Sequence, residues 1–184
     1  MDEYEEVGRI ECKRPTWERF AAAHGGRFWI TETIDGIWEL FHLTIPFMET
    51  EIVFVETDNH PLKLSSTLDP TDGFLFTIWP QDFVDGVMHF FGAQDVVIGD
   101  VEFDKAFVVK ANDERRVKRL LESQEIKSFL LAGRYPFFGT ESSEEGTRLR
   151  MTVNRTTETE AELESLLSFF CAAILRLRES GTTP

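Results

Sequence analysis

The strongest candidate for a catalytic pair in the sequence is Glu32 with Glu39. They flank Asp35-Gly36, the signature of a two-residue type I′ turn between antiparallel strands. If that turn sets the register, the two glutamates lie opposite each other, and adjacent carboxylates can form a catalytic acid–base pair because one pKa is raised. A one-residue slip would move the pair to the other face of the strands. The competing interpretation is two solvated glutamates at a strand edge.

His42 lies further along the second of these strands and completes the candidate catalytic set of a hydrolase-type acidic cleft. The other potential ligands and nucleophiles are scattered. None of the four histidines sits in an HxxxH, HxH or CxxH arrangement, whereas a zinc site needs three or four converging ligands. The sequence contains no GxSxG, GxGxxG or GxxxxGK(S/T) motif. We therefore predict no metal and no cofactor.

The same predicted hairpin carries large apolar residues on both of its faces. A sheet that is covered by helices on one side does not need aromatic residues on its second side. An aromatic second face is therefore either covered by a second layer or forms an apolar patch for a partner, and we favour the patch. The apolar residues of one predicted face are Phe28, Ile30 and Phe41, and those of the other are Trp29, Trp38 and Leu40. We predict that Trp29, Trp38 and Leu40 bind a second copy of the chain, a protein partner or a small apolar ligand.

The charge balance narrows the choice of partner. The chain has 19 basic and 33 acidic residues, a net charge of −14, which repels phosphate backbones and anionic lipid. Nucleic acid and membrane surfaces are therefore not expected partners, whereas a basic protein is. The acidic start and the two distant cysteines, Cys12 and Cys171, predict a cytoplasmic protein with free thiols.

Patterns along the chain predict the secondary structure. A polar segment, residues 1–14, is expected to be flexible, and a short helix opens at Pro15 and ends at Gly25-Gly26. The remaining predictions follow the hairpin: strands near 51–56, 62–68 and 74–79, a helix near 83–91, a strand containing Phe103, Phe107 and Val109, helices after Asp113 and Ser123, a strand over 133–138, a polar loop over 139–146, a strand over 149–153, and a long helix opened by the capping box Thr159-x-x-Glu162.

Strands outnumber helices and most connections resemble hairpins. This favours an α+β fold: an antiparallel or mixed β-sheet with helices packed mainly on one face and a long C-terminal helix. Residues 15–184 are expected to form a single domain. A division into two sub-lobes, about 15–95 and 96–184, is left open.

The segment from Gly99 to Asp113, GDVEFDKAFVVKAND, resembles the GDxxFDxxFxV(K/R)xxD segment of a group of uncharacterised prokaryotic proteins. In that group a helix ending in Leu-Leu follows, as Leu120-Leu121 do here, and then two short strands and a C-terminal helix. The resemblance covers roughly residues 96–178 and implies a shared fold unit without an assigned activity. Many members of the group carry transmembrane helices ahead of this unit, and we do not carry that feature over. In physical terms, Gly99 permits a tight turn, Asp100 hydrogen-bonds its backbone, and Phe103 and Phe107 anchor the strand in the core. The alternative interpretation is a site built on Asp100 and Asp104.

The sequence therefore supports a non-enzymatic, soluble binding or self-association module that uses an aromatic-rich sheet face. Two alternatives remain open at this level. One is a hydrolase-like enzyme with Glu32, Glu39 and His42 in an acidic cleft. The other is an immunity-like protein whose acidic surface meets a basic partner.

Overall fold

The computed structural model describes residues 3–32, 38–57, 61–69, 72–82, 94–133, 135–143, 146–154, 157 and 159–181. For residues 3–12, 94 and 181 it describes the backbone only. The helix predicted near 83–91 lies outside these ranges.

The described part of the chain forms one antiparallel sheet flanked by helices, which confirms the predicted α+β class. The strands are β1 (Arg27–Glu32), β2 (Glu39–Phe47), β3 (Thr50–Glu56), β4 (Leu62–Thr67), β5 (Phe76–Pro80), β6 (Gln94–Asp95), β7 (Phe107–Ala111), β8 (Phe137–Ser143) and β9 (Gly146–Val153). The helices are α1 (Glu3–Ala23), α2 (Val101–Ala106), α3 (Glu114–Leu121), α4 (Gln124–Gly133) and α5 (Glu160–Gly181).

The strand order is β1-β2-β3-β4-β9-β8-β5-β7-β6, and every neighbouring pair is antiparallel. Strand β5, from the first half of the chain, lies between β7 and β8 from the second half. Both halves therefore contribute to the same sheet. This leaves β1 at one end of the sheet, where its outer backbone edge meets no other described strand.

The predicted register of the first hairpin is confirmed. Trp29 pairs with His42, and Glu32 pairs with Glu39. The remaining predicted pairs within the described residues are also present, Phe28 with Leu43 and Ile30 with Phe41. The turn itself and the predicted pairs of Thr33 and Ile34 lie outside the described residues.

One face of the sheet, which we call the first face, packs on the helices. Trp17 of α1 is fully buried and contacts the rings of Phe28 and Phe41 at centroid distances of 6.1 and 6.0 Å. At the centre of the sheet, Phe169 of α5 packs edge-on against Phe138 at 5.1 Å. Burial of so many aromatic and aliphatic side chains against one face supplies the main driving force for the fold.

The helix predicted to open at Pro15 begins at Glu3 instead, with Pro15 inside it. A proline inside a helix removes one hydrogen bond and normally ends or kinks it. Here tertiary contacts hold the helix on both sides of the proline. Lys13 forms a buried ion pair with Glu56 of β3 at 3.0 Å, and Trp17 is buried in the core. The predicted end is confirmed, because Gly25 has a positive φ of 64° and Gly26 N donates to Ala21 O at 2.8 Å.

Phe103 was predicted to lie in a strand with Phe107, and that prediction is wrong. Phe103 lies in the short helix α2, and β7 begins only at Phe107. The reason is local capping: Asp100 accepts from Phe103 N at 3.2 Å, and Asp104 accepts from the backbone N–H groups of Ile98 and Gly99. The roles given to Asp100 and to the two aromatic residues are confirmed, because Phe103 and Phe107 are buried with their rings 4.8 Å apart.

The strand predicted over 133–138 and the loop predicted over 139–146 are also corrected. Helix α4 continues to Gly133, and β8 covers Phe137–Ser143. The polar residues of this segment form strand β8. Gly139 allows β8 to lie close to β5, an approach that a larger side chain would block. A Cβ on Gly139 would lie 2.4 Å from Phe76 O of the neighbouring strand.

Candidate functional site

A groove of about 480 Å³ lies beside β1, at the open end of the sheet. Five consecutive residues of β1, Phe28 to Glu32, line one side of it, and Glu39 of β2 joins them. Arg14 and Glu18 of α1 form the opposite wall. A groove of this volume is within the usual range of small-molecule sites.

The rim of this groove is charged. Arg14 Nε donates to Glu18 Oε1 at 2.9 Å, an i,i+4 pair on an exposed helix surface. This hydrogen bond raises the pKa of the Arg14 guanidinium, and the charge of Glu39 adds a smaller contribution in the same direction. Three carboxylates, those of Glu18, Glu32 and Glu39, thus share the groove with one guanidinium.

Trp29 is the large apolar residue that the groove shares with the second face of the sheet, the face opposite the helices. Its side chain is 39% exposed and stacks on the His42 ring, with centroids 5.1 Å apart and planes within 5°. His42 Nε2 lies 2.7 Å from Thr31 Oγ1. Burial lowers the pKa of His42, which favours the neutral imidazole in this stack.

The second face continues across the sheet from Trp29. Val53 and Val55 are half-buried there on β3, because they alternate with the buried Ile52 and Phe54. Further along the face, Arg150 lies over the Phe137 ring at 5.6 Å and pairs with Glu141. Lys110 lies over the Trp79 ring at 5.9 Å. Between these two regions, β4 places Lys63 and Ser65 on the second face, and β9 places Arg150 and Thr152 there. The apolar side chains of the face therefore form two patches, one around Trp29 and one around Trp79, separated by polar strands.

The described helices form one layer on the first-face side of the sheet. Trp17 of α1, Phe103 of α2 and Phe169 of α5 contact first-face rings directly, while α3 and α4 pack next to α5. Within the described residues, the partial burial of the second face comes from the strands. The sequence expectation that an aromatic face would be left outside the helix layer thus agrees with the positions of Trp29 and Trp79.

The structure does not bring the three candidate catalytic residues together. Glu32 and Glu39 lie opposite each other, with exposed side chains, on the first-face side of the hairpin. His42 is an odd number of residues from Glu39 and points to the second face, where it contacts Trp29 and Thr31. A dyad assisted by His42 would require all three side chains on one face.

The three candidate binding residues lie at different points of the first hairpin. Trp29 and Leu40 lie on the second face, and Leu40 is half-buried opposite Thr31. Trp38 is half-buried at the bend that precedes β2. Of the three, only Trp29 reaches the groove.

Other residues with chemical potential have structural partners. Cys171 is a free, half-buried thiol, and burial raises its pKa to about 11, which makes it a weak nucleophile. His24 Nε2 lies 2.9 Å from Glu164 Oε2 and joins α1 to α5. Among the described residues, no group of three His, Cys, Asp or Glu side chains is placed to hold a metal ion. In the same part of the chain no helix combines the length and apolarity needed to cross a bilayer.

The sequence analysis missed Arg14, because residues 1–14 are expected there to be flexible, and with it the ion pair that Arg14 forms with Glu18. The signal that could have found them is their i,i+4 spacing, which is typical of an ion pair on a helix surface. With α1 beginning upstream of Pro15, both residues face β1.

Comparison with known proteins identifies a fold relative. No family model matches the chain, and a search of curated proteins gives no match. Among solved structures, the mycobacterial trehalose monomycolate transport factor A, TtfA, is similar, with a TM-score of 0.64 and 10% sequence identity over 92% of this chain and 96% of that chain. At this identity the similarity establishes a shared fold. The resemblance to the uncharacterised prokaryotic group stays a prediction.

Proposed function

We propose that this protein is a binding module that holds an amphiphilic ligand, with the apolar part on the second face of the sheet and the polar part near the groove. The observation that carries the proposal is Trp29. A tryptophan that is 39% exposed, stacked on His42 and shared by a groove and an apolar face offers a ligand one rigid aromatic surface. Tryptophan is suited to a position between a polar groove and an apolar surface, because its ring is apolar and its N–H is polar.

The surroundings of Trp29 fit both parts of such a ligand. On one side, the second face carries the half-buried side chains of Leu40 on β2 and of Val53 and Val55 on β3, one strand beyond His42. On the other side, Trp29 lines the groove together with three carboxylates and one guanidinium. Sites of this composition bind through burial of apolar area and are oriented by a few polar groups.

The fold relative supports the same class of ligand. TtfA is named as a transport factor for trehalose monomycolate, which joins a sugar to a long acyl chain. We propose that the present chain uses the shared sheet to hold a ligand of comparable build, a neutral polar head with an apolar chain. The net charge of −14 favours a neutral head over an anionic one.

Dodecyl maltoside, used below its micelle concentration, tests this proposal. Titration is followed by tryptophan fluorescence and by calorimetry, and we expect saturable binding. Trp29→Ser should weaken it by about tenfold, because losing the contact of one large aromatic side chain costs about 1.4 kcal/mol.

Leu175→Ser is the matched control. Leu175 is exposed to a similar extent, 42%, but lies on α5 behind the first face. Its substitution should leave the affinity unchanged. Equal losses in the two variants, or no saturable binding to the wild type, would contradict the proposal.

A further inference from the structure

The groove follows the outer backbone edge of β1, which pairs with no further strand among the described residues, and this edge is a different feature from the second face. Successive residues of a strand point to opposite faces of the sheet. A cavity on one face would therefore be lined by alternate residues, whereas this groove is lined by five consecutive ones, Phe28 to Glu32. An occupant would meet the strand from the side, where its backbone N–H and C=O groups point outward.

Strand β1 has the properties of an edge strand that can pair with an added strand. It occupies one end of the sheet and pairs, among the described strands, with β2 alone. Its sequence, RFWITE, is rich in aromatic and β-branched residues and has neither the proline nor the lysine that usually protects a sheet edge. Peptide recognition by strand addition uses such an edge, with backbone hydrogen bonds for affinity and side-chain pockets for specificity.

The charged residues that line the groove determine which charge an added strand should carry. Glu18, Glu32 and Glu39 place three carboxylates against the single guanidinium of Arg14. Arg14 is already paired with Glu18, so Glu32 and Glu39 supply most of the field that an occupant would meet. A second copy of the chain would bring another net charge of −14 to the same edge.

From this geometry we infer that the groove binds an extended segment of a partner protein, added to β1 as a further antiparallel or parallel strand, with basic side chains directed at Glu32 and Glu39. Its apolar side chains on the first-face side contact Phe28 and Ile30, which are half-buried and packed on the core. Charge complementarity accelerates the encounter and fixes the register of the added strand.

Two synthetic peptides of alternating valine and threonine, one carrying lysines and the other glutamates at the same positions, test the inference. Binding is measured by calorimetry, and hydrogen exchange of the β1 amides locates it. The lysine peptide should bind at least about tenfold more tightly than the glutamate peptide and slow exchange of alternate β1 amides. Glu32→Lys should invert the preference, while Glu122→Lys, at the exposed C-terminal end of α3, should leave it unchanged.

Three results would overturn the inference. The first is that neither peptide slows exchange in β1. The second is equal affinity for both peptides, which would remove the role of charge. The third is protection of β1 without peptide that rises with protein concentration together with a dimer mass, because a second copy of the chain would then occupy the edge.

Discussion

Burial of the His42 ring against Trp29 couples protonation of this histidine to the state of the aromatic stack. The neutral ring is favoured in the folded protein, because its pKa is lowered by burial. The unfolded chain then binds the proton more readily than the folded one. Stability should rise with pH between the lowered folded pKa and the ordinary histidine value of about 6.5, and be fully present above that value.

Tryptophan fluorescence as a function of pH checks this prediction. An imidazolium stacked on an indole quenches its emission, so the signal of Trp29 should fall as the pH decreases, with a midpoint below about 6.5. His42→Gln should abolish this transition, and so should Trp29→Phe. His24→Gln serves as the control, because the His24 ring packs at a tilted angle against Phe20 and not against a tryptophan. A midpoint above the ordinary histidine value would contradict the assignment.

Asp72 and Arg116 form the best-defined ion pair outside the groove. Two hydrogen bonds of 2.5 and 2.7 Å join them, and the guanidinium lies 4.3 Å from the centre of the Phe74 ring. The hydrogen bond to Arg116 is the main reason that the pKa of Asp72 is lowered. Stability from this pair is present above the ordinary aspartate pKa of about 3.9 and is lost as the pH falls through the lowered folded value.

Asp72→Asn should reduce the free energy of unfolding by about 1–3 kcal/mol, because a largely buried guanidinium loses its charged partner. Urea denaturation at neutral pH measures the change. Asp95→Asn is a suitable control, since the Asp95–Lys110 pair is 3.6 Å apart and Asp95 is exposed. Its expected change is below about 0.5 kcal/mol. Equal changes in the free energy of unfolding for the two variants would show that the bidentate geometry of the Asp72–Arg116 pair adds no stability.

At the scale of elements, α5 begins with a complete capping box. Thr159 Oγ1 accepts from Glu162 N, and Glu162 Oε2 accepts from Thr159 N, each at 3.2 Å. This arrangement satisfies two backbone donors that the first turn would otherwise leave unpaired. Because α5 packs on the centre of the sheet, fraying at its start would loosen the core beneath it.

Thr159→Ala should therefore cost about 1 kcal/mol of stability, and Thr159→Ser should restore most of it. Thermal and urea unfolding monitored by circular dichroism provide the measurement. Thr152→Ala, at a half-buried position on β9, is a control without a capping role. A loss in Thr159→Ala that serine does not recover would mean that the threonine methyl group, not the cap, supplies the stability.

Helix α1 forms one wall of the groove, and its contacts with the sheet hold that wall in place. Its buried pair with the sheet, Lys13 with Glu56, is joined by Thr157 N, which donates to the same Glu56 oxygen at 3.3 Å. The helix is thus fixed to β3 and to the segment before α5. That attachment presents Arg14 and Glu18 opposite β1. The groove depends on this docking as much as on the hairpin.

At the scale of the whole molecule, the sheet separates two surfaces with different roles. The helices bury the first face, and the proposed ligand surface lies on the second. Native mass spectrometry of the protein purified gently from its expression host measures subunit number and retained mass together. We expect a monomer carrying an amphiphile, because the acidic net charge opposes self-association. A bare dimer would favour the self-association interpretation of Trp29, Trp38 and Leu40 instead.

Local patterns determined much of this molecule. The Asp35-Gly36 signature gave the register of the hairpin, and with it the pairing of Glu32 with Glu39 and of Trp29 with His42. Capping residues gave the starts of α3 and α5, because Asp113 and Thr159 bond to backbone N–H groups within their own first turns. These features depend on interactions between residues that are close together in the sequence, so they can be predicted from it.

Features that depend on residues far apart in the sequence became visible only in the folded protein. Helix α1 extends through Pro15 because Lys13 and Trp17 are held by the sheet, and no local pattern around the proline contains that information. The position of β5 between β7 and β8 follows from packing of the complete sheet. The groove joins α1 to the edge of β1, and its residues come together only when strand order and helix docking are both fixed. The candidate residues could therefore be named from the sequence, whereas their division between a groove and an opposite face could not.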